Sequence, residues 1–381
     1  MSCLATSPII QERKLFEDVA EHLRHLIVSK PKGTEDAGRA ITRKEDVMRT
    51  RSIALAMTLL GGLLMGPLVE AGTTLRFGHT DPPDGLRHKA ALMFADKVKE
   101  YTQGRYSVDV HHSGTLGNDP KLLEQVKLGA IDFAVSGIAI YANQVPELGL
   151  LALPYLVESY EQGWALYDTS PWVKEWFTTL QTKNMRILSM FEAGFRQLTA
   201  KKPIRVPDDV KGMKIRIAKS EVYVWLWSAL GANPTVMGMD EVYISLQQGV
   251  VDAQENPIPT IHVNKFYEVA KNISLTNHIY APIPLSITEK RWQSFSPADQ
   301  AVVQKAAAEA SAWHRKAVLE EDDKMLADMK AKGATIIKPD VSAFARASRS
   351  VYDKAGEKFP KPVLQSLLKD TEAIKAKYPG K

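Results

Sequence analysis

One order of five elements is written twice along this chain. Residues 74–79 have the alternation of a short strand. Leu86, Ala90, Phe94, Val98 and Tyr101 then follow at helical spacing as far as Gly104. Residues 106–111 read as a second strand, and Asp119 is placed to cap the next helix, with Pro120 in its first turn and Gly129 at its end. Residues 131–135 read as a third strand. The pattern returns as a strand at 213–217, a helix capped by Ser220, a strand at 234–237, a helix at 241–248 and a strand at 250–253. Gly129-Ala-Ile-Asp132 and Gly249-Val-Val-Asp252 occupy equivalent places in the two copies. A β-α-β-α-β run with right-handed crossovers makes a parallel sheet covered by helices. The fold class expected is therefore α/β, with two lobes and two parallel-rich sheets. Open α/β sheets take ligands beyond the carboxyl ends of their strands, so paired lobes line one interdomain cleft.

A further stretch ties the lobes together. Ser296 is placed to cap a helix, Pro297 and Asp299 sit in its first turn, and no breaker follows until Gly333. About 35 residues make a rod of roughly 50 Å, longer than one lobe needs, so one long helix spans both; a kinked pair of helices is the alternative. The expected division is 72–193 plus about 282–321 for lobe 1, and 194–281 plus about 322–381 for lobe 2.

The first 71 residues do not fit this scheme. Met48-Arg-Thr-Arg-Ser52 precedes an apolar run from Ile53 to Val69, and Val69-Glu70-Ala71 precedes Gly72. Basic flank, apolar core and a small-residue end make a secretory signal peptide over 48–71, with a short membrane anchor as the alternative. Cleavage before Gly72 and a periplasmic location are expected. A signal peptide works from the start of a chain, so residues 1–47 are read as a non-native extension, with translation beginning at Met48. The single cysteine, Cys3, excludes a disulfide framework and a thiolate zinc site. With 49 Lys and Arg against 44 Asp and Glu, and no concentrated basic run, nucleic acid is not an expected partner.

Few residues offer chemistry. Arg216 ends a strand in which Met213, Ile215 and Ile217 share the other face, which puts its guanidinium where the cleft should be. A guanidinium is a planar fork of donors matched to a carboxylate; a solvated arginine paired with a neighbouring acid is the competing reading. Arg196 follows a strand over 185–191 and has the same two readings. Asn256 follows the third strand of the second repeat, as a helix cap, a ligand-facing amide, or both. Asp132 and Asp252 look like turn-fixing residues rather than a catalytic pair. Of Trp225 and Trp227, at most one faces the core. No metal-binding, phosphate-binding, dinucleotide or nucleophile-elbow motif is present, so no enzyme, cofactor or metal site is expected.

Several runs together resemble one family. Asp209-Val-Lys-Gly-Met-Lys-Ile-Arg216, Gly231-Ala-Asn-Pro-Thr235, Glu241-Val-Tyr243, Gly249-Val-Val-Asp-Ala-Gln-Glu-Asn-Pro257, Lys265-Phe-Tyr-Glu268 and Leu275-Thr-Asn-His278 lie in the second half. Phe77-Gly78, Leu116-Gly117 and Leu153-Pro154-Tyr155 lie in the first. This set resembles the substrate-binding subunits of tripartite ATP-independent periplasmic (TRAP) transporters, the dicarboxylate-binding-protein family. The resemblance implies a two-lobed periplasmic binding protein fold, a monomer that closes over an organic acid and delivers it to a sodium-driven TRAP membrane permease. It also implies that Arg216 grips the ligand carboxylate while Arg196 and Asn256 assist. His79, Thr80, Ser136 and Gly137 of lobe 1, with Glu192 and Met239 across the cleft, are the expected contacts to the rest of the ligand. The stretch Ile131 to Gly137 and Glu192 are more similar to family members that take sugar acids such as diketogulonate. A C4-dicarboxylate receptor, a sensor of the same chemistry and a secreted enzyme acting on acidic sugars stay open as alternatives.

Overall fold

The computed structural model describes residues 72–379, and the expectations for residues 1–47 and 48–71 lie outside the described residues. Eleven strands form two sheets among these residues. They are β1 (Thr73–Gly78), β2 (Tyr106–His111), β3 (Phe133–Val135), β4 (Met185–Phe191), β5 (Arg196–Ala200) and β6 (Lys214–Ile217). β7 (Asn233–Val236), β8 (Ala253–Pro257), β9 (Asn272–Ser274), β10 (Ile283–Thr288) and β11 (Thr335–Ile337) complete the set. The first sheet runs β2-β1-β3-β10-β4 and the second β11-β9-β5-β8-β6-β7.

The two sheets share a plan. In each, the first strand of the repeat lies between the second and third, and all three are parallel: β2-β1-β3 in one, β7-β6-β8 in the other. The parallel expectation therefore holds for these cores. Beyond them each sheet is mixed, because an antiparallel strand enters beside the third: β10 beside β3, and β5 beside β8. Both entering strands are crossing strands. β5 follows directly from β4, and β10 brings the chain back. The crossing segments are tied by a bridge between Phe195 and Tyr280, with Arg196 N donating to Ile279 O (2.8 Å) and Ala281 N to Gly194 O (3.1 Å).

The repeated Gly-x-x-Asp has a repeated job. Gly129 and Gly249 end their helices at φ 74° and 76°, the left-handed region that favours glycine. Three residues on, Asp132 N donates to Arg76 O (3.0 Å) while its Oδ2 accepts from Arg76 N (2.8 Å). Asp252 does the same to Lys214, at 2.8 and 2.9 Å. Each aspartate locks the start of a third strand to the strand beside it, which is the structural role read from the sequence.

The long helix is unbroken over Pro297–Ala331, 35 residues, with Ser296 Oγ accepting from Asp299 N (3.1 Å). It packs on the Leu86–Tyr101 helix and β4 in the first lobe, and on the Ile258–Val263 helix and β11 in the second. The chain end departs from the expected division. Ser350–Lys358 packs on the Glu221–Ala229 helix, but Lys361–Lys377 returns to the Tyr160–Thr169 and Pro171–Thr179 helices, the latter against β4 of the first sheet. There Trp172 Nε1 donates to Val363 O (2.9 Å), and Asp370 accepts from Ser170 Oγ (2.5 Å) and Trp172 N (3.1 Å). A run of helices alone does not reveal which lobe receives it. Trp227 is buried and Trp225 only partly so, as their spacing required.

Candidate functional site

Residues from both repeats converge on a cavity of ≈ 50 Å³. From the second lobe it is lined by Arg196, Arg216, Tyr223, Met239 and Asn256, and from the first by Arg87, Asp119 and Gly137. Its second-lobe wall is the carboxyl end of parallel strands β6 and β8 together with the start of antiparallel β5, which is why three polar side chains meet there.

Arg216 is 2% exposed on β6. Its Nε and Nη2 donate to the Met237 carbonyl oxygen at 3.1 and 2.8 Å. Its Nη1 is buried with no hydrogen-bond partner among the described residues. Burial lowers its pKa to about 10, against the opposing pull of the Glu255 carboxylate and with a smaller push from Arg196, so the group remains a cation at neutral pH. The expected fork is thus partly used. One edge is spent on the backbone, and the Nη1–Nη2 edge keeps the geometry for a bidentate grip on a carboxylate.

Arg196 is buried beside it but compensated. Its Nε pairs with Glu255 Oε2, and its Nη2 donates to Glu255 Oε1 (2.8 Å) and Asn256 Oδ1 (3.1 Å). Its guanidinium lies over the Tyr223 ring, 5.1 Å from the centroid. Burial opposes the charge, yet Glu255 holds Arg196 above its ordinary value. Burial likewise opposes the Glu255 charge, but Arg196 and His278 hold its carboxyl below the usual range. Asn256 is inside β8, not after the strand, and the residue preceding the Ile258–Val263 helix is Pro257; the cap reading of Asn256 is therefore corrected. Its Nδ2 donates to Gln254 Oε1 (2.6 Å), which leaves one amide hydrogen for the cavity.

The remaining expected contacts divide. Met239 and Gly137 line the cavity. Thr80 sits behind the wall, accepting from Arg87 Nη1 (3.1 Å) and reaching Asp119 Oδ2 (3.5 Å). His79 is buried behind it too, against His88 at 3.0 Å, and burial followed by Arg87 pushes its pKa well down, so it is neutral. Ser136 is fully buried, does not line the cavity, and its hydroxyl has no partner among the described residues. Glu192 is not at the cavity at all. It lies in the crossing segment, where Oε2 accepts from Trp164 Nε1 (2.7 Å) and Tyr280 Oη (2.8 Å), and Oε1 from Ala193 N (3.0 Å) and Gly194 N (2.8 Å). With four donors engaged it is a clamp on the β4–β5 crossing and has no lone pair to offer a ligand.

Sequence reasoning missed Arg87, Asp119, Tyr223 and Glu255. Arg87 belongs to a helix whose apolar spacing does not mark it as interior, yet it is 7% exposed and pairs with Asp81 at 3.3 Å. The cap expected at Asp119 is instead Asn118, accepting from Lys121 N at 3.4 Å, which leaves Asp119 free to line the cavity. Glu255 lay within the Gln-Glu-Asn run and was a readable partner for Arg196.

The family described as bacterial extracellular solute-binding protein, family 7 (DctP) matches residues 77–358 of the chain. The 2,3-diketo-L-gulonate-binding periplasmic protein YiaO of Escherichia coli is 31% identical over 86% of this chain and 100% of its own length. A TRAP periplasmic solute-binding protein from Polaromonas sp. JS666, solved with D-erythronate, is 32% identical with a TM-score of 0.75, covering 78% of this chain and 98% of that one. Another from Sulfitobacter sp. NAS-14.1, solved with β-D-galacturonate, is 30% identical with a TM-score of 0.76, covering 79% and 100%. Binding proteins rather than enzymes make up these relatives. With the family match spanning most of the described residues and the two-lobed architecture shared with solved members, the chain belongs to the family 7 extracellular solute-binding proteins, DctP.

Proposed function

We propose that this protein captures a sugar acid or a related hydroxy- or keto-carboxylate in the periplasm and presents it to the membrane subunits of a TRAP permease, without altering it chemically. The observation that carries the reading is the buried Nη1 of Arg216, without a partner among the described residues, at the wall of a cavity shared by both lobes. A buried cation without a direct ion pair is costly, and a ligand carboxylate repays that cost by pairing with it. Arg196 Nη1 and the second Asn256 amide hydrogen add donors to the same anion. A ligand touching both walls favours the closed arrangement by its differential affinity for it. The relatives solved with D-erythronate and β-D-galacturonate support the ligand class.

A thermal-shift screen of organic acids on the protein beginning at Gly72 tests the reading, since a ligand that binds only the native state raises its Tm. Sugar acids are expected to raise it by several degrees. A flat response to every carboxylate would sink the proposal.

A further inference from the structure

The cavity wall contributed by the first lobe differs in charge from the one opposite. In the second lobe, Arg196 and Arg216 face one carboxylate, Glu255, for a formal balance of +1. In the first, Arg87 is paired with Asp81, and Asp119 stands in addition, for a balance of −1. Asp119 Oδ1 is buried and has no hydrogen-bond partner among the described residues, while its Oδ2 meets only the Thr80 hydroxyl at 3.5 Å. His79 and His88, packed behind Arg87 and Thr80, are both held below their ordinary pKa, mainly by burial, and add no positive charge at neutral pH. An ionised carboxylate only accepts hydrogen bonds, so Asp119 gives this wall acceptor capacity. Its one cavity-lining cation, Arg87, is already paired with Asp81 through Nη1, although its Nε has no partner among the described residues.

We infer that Asp119 is the specificity-determining residue of the first lobe: it accepts hydrogen bonds from ligand hydroxyls and rejects a second ligand carboxylate, so the site takes a polyhydroxy monocarboxylate and discriminates against C4-dicarboxylates. This rests on the proposed function, with Arg216 as the anchor for the one carboxylate. The polarity follows from the two balances. A monoanion lies with its carboxylate on the positive wall and its hydroxyl donors on the negative one. A diacid of the same length instead puts an anion against Asp119, with only Arg87, already shared with Asp81, to offset two carboxylates and the ligand's own. A site that hydrogen-bonds a hydroxyl also discriminates strongly against an analogue without it, because its own buried acceptor is then left unpaired.

The test is calorimetric titration at neutral pH with three four-carbon acids, D-erythronate, butyrate and succinate, together with D-galactonate and D-glucuronate. The proteins compared are wild type, Asp119→Asn and Arg216→Ala, each checked for an unchanged circular-dichroism spectrum. Wild type is expected to prefer a hydroxylated acid of the panel over succinate by at least about 100-fold. Asp119→Asn is expected to shrink that preference at least about tenfold, by weakening the hydroxy acid and sparing or improving succinate. Arg216→Ala is expected to weaken every acid alike. If acids bind and Arg216→Ala abolishes them, but Asp119→Asn leaves the ratio unchanged, the role of Asp119 is overturned and the proposed function stands. If no panel acid binds wild type, or Arg216→Ala binds them as wild type does, both are overturned.

Discussion

At the cavity wall Arg216 keeps one nitrogen without a partner among the described residues, whereas in the crossing segment Glu192 has both oxygens doubly engaged. Both groups are almost wholly buried. The difference lies in how far the fold itself supplies their partners. Four donors around Glu192 fix the turn from β4 into β5 and hold Trp164 and Tyr280 against it, so the charge serves geometry. Arg216 is oriented by the Met237 carbonyl and then left short of a counter-charge, so its remaining edge is held in place for something that arrives. A buried charge with a complete set of partners is architecture; one with an incomplete set marks a binding site.

The largest effect should come from making Arg196 resemble Arg216. Glu255→Ala removes its counter-ion and strands a second buried guanidinium, for an expected loss of about 3–5 kcal/mol in urea unfolding. A loss below about 1 kcal/mol would show that this pair contributes little to the fold. Arg216→Ala, the reverse operation, should weaken sugar-acid binding at least about thirtyfold, roughly 2 kcal/mol or more, while the protein stays folded. Arg216→Lys keeps the charge but loses the fork and the grip on Met237 O, so calorimetry should place its affinity between the two. Unchanged affinity in Arg216→Ala would remove the basis for the comparison.

A pH-dependent effect sharpens the contrast inside the crossing region. Tyr160 Oη donates to Asp322 Oδ2 on the long helix at 2.8 Å, while Asp322 Oδ1 has no partner among the described residues. Burial, opposed by the Tyr160 bond and reinforced by Glu192, raises the Asp322 pKa from 3.8 to about 7. The folded state therefore holds a proton more tightly than the unfolded chain. Stability from this group is full below about pH 4 and is lost as pH rises to about 7 and beyond. Asp322→Asn should have a higher Tm than wild type at pH 8, and the difference should disappear as the pH falls through that window. A pH-independent difference would show that Asp322 does not titrate between the two states.

The parts of this site legible in the sequence are those set by local periodicity. Strand alternation placed Arg216 on the correct face and end of β6, and the repeated glycine and aspartate revealed the common plan of the two sheets. Arg196 and Asn256 acquired their expected roles through family resemblance. Glu192 was misplaced because what occupies its oxygens lies far off in sequence: Trp164 is 28 residues away and Tyr280 is 88. Arg87 was hidden for the opposite reason, since a basic residue on an amphipathic helix normally snorkels to water and nothing nearby marks this one as interior. Asp119 has a local explanation, capping, that conceals its place at the cavity, and the true cap is its neighbour Asn118.

The strand order of the first sheet also sets a schedule. β4 sits at the edge and pairs only with β10, whose last residue is Thr288. Until roughly a hundred further residues have emerged, β4 has no neighbour to join, and the parallel trio β2-β1-β3 ends in an unpaired edge. The first lobe cannot mature from one contiguous stretch of polypeptide, whereas five of the six strands of the second sheet come from the run between Arg196 and Ser274. Closure of the first sheet therefore depends on contacts between distant parts of the chain and is expected to be slow. A fold with this schedule stays open while it is being made and closes its first sheet late.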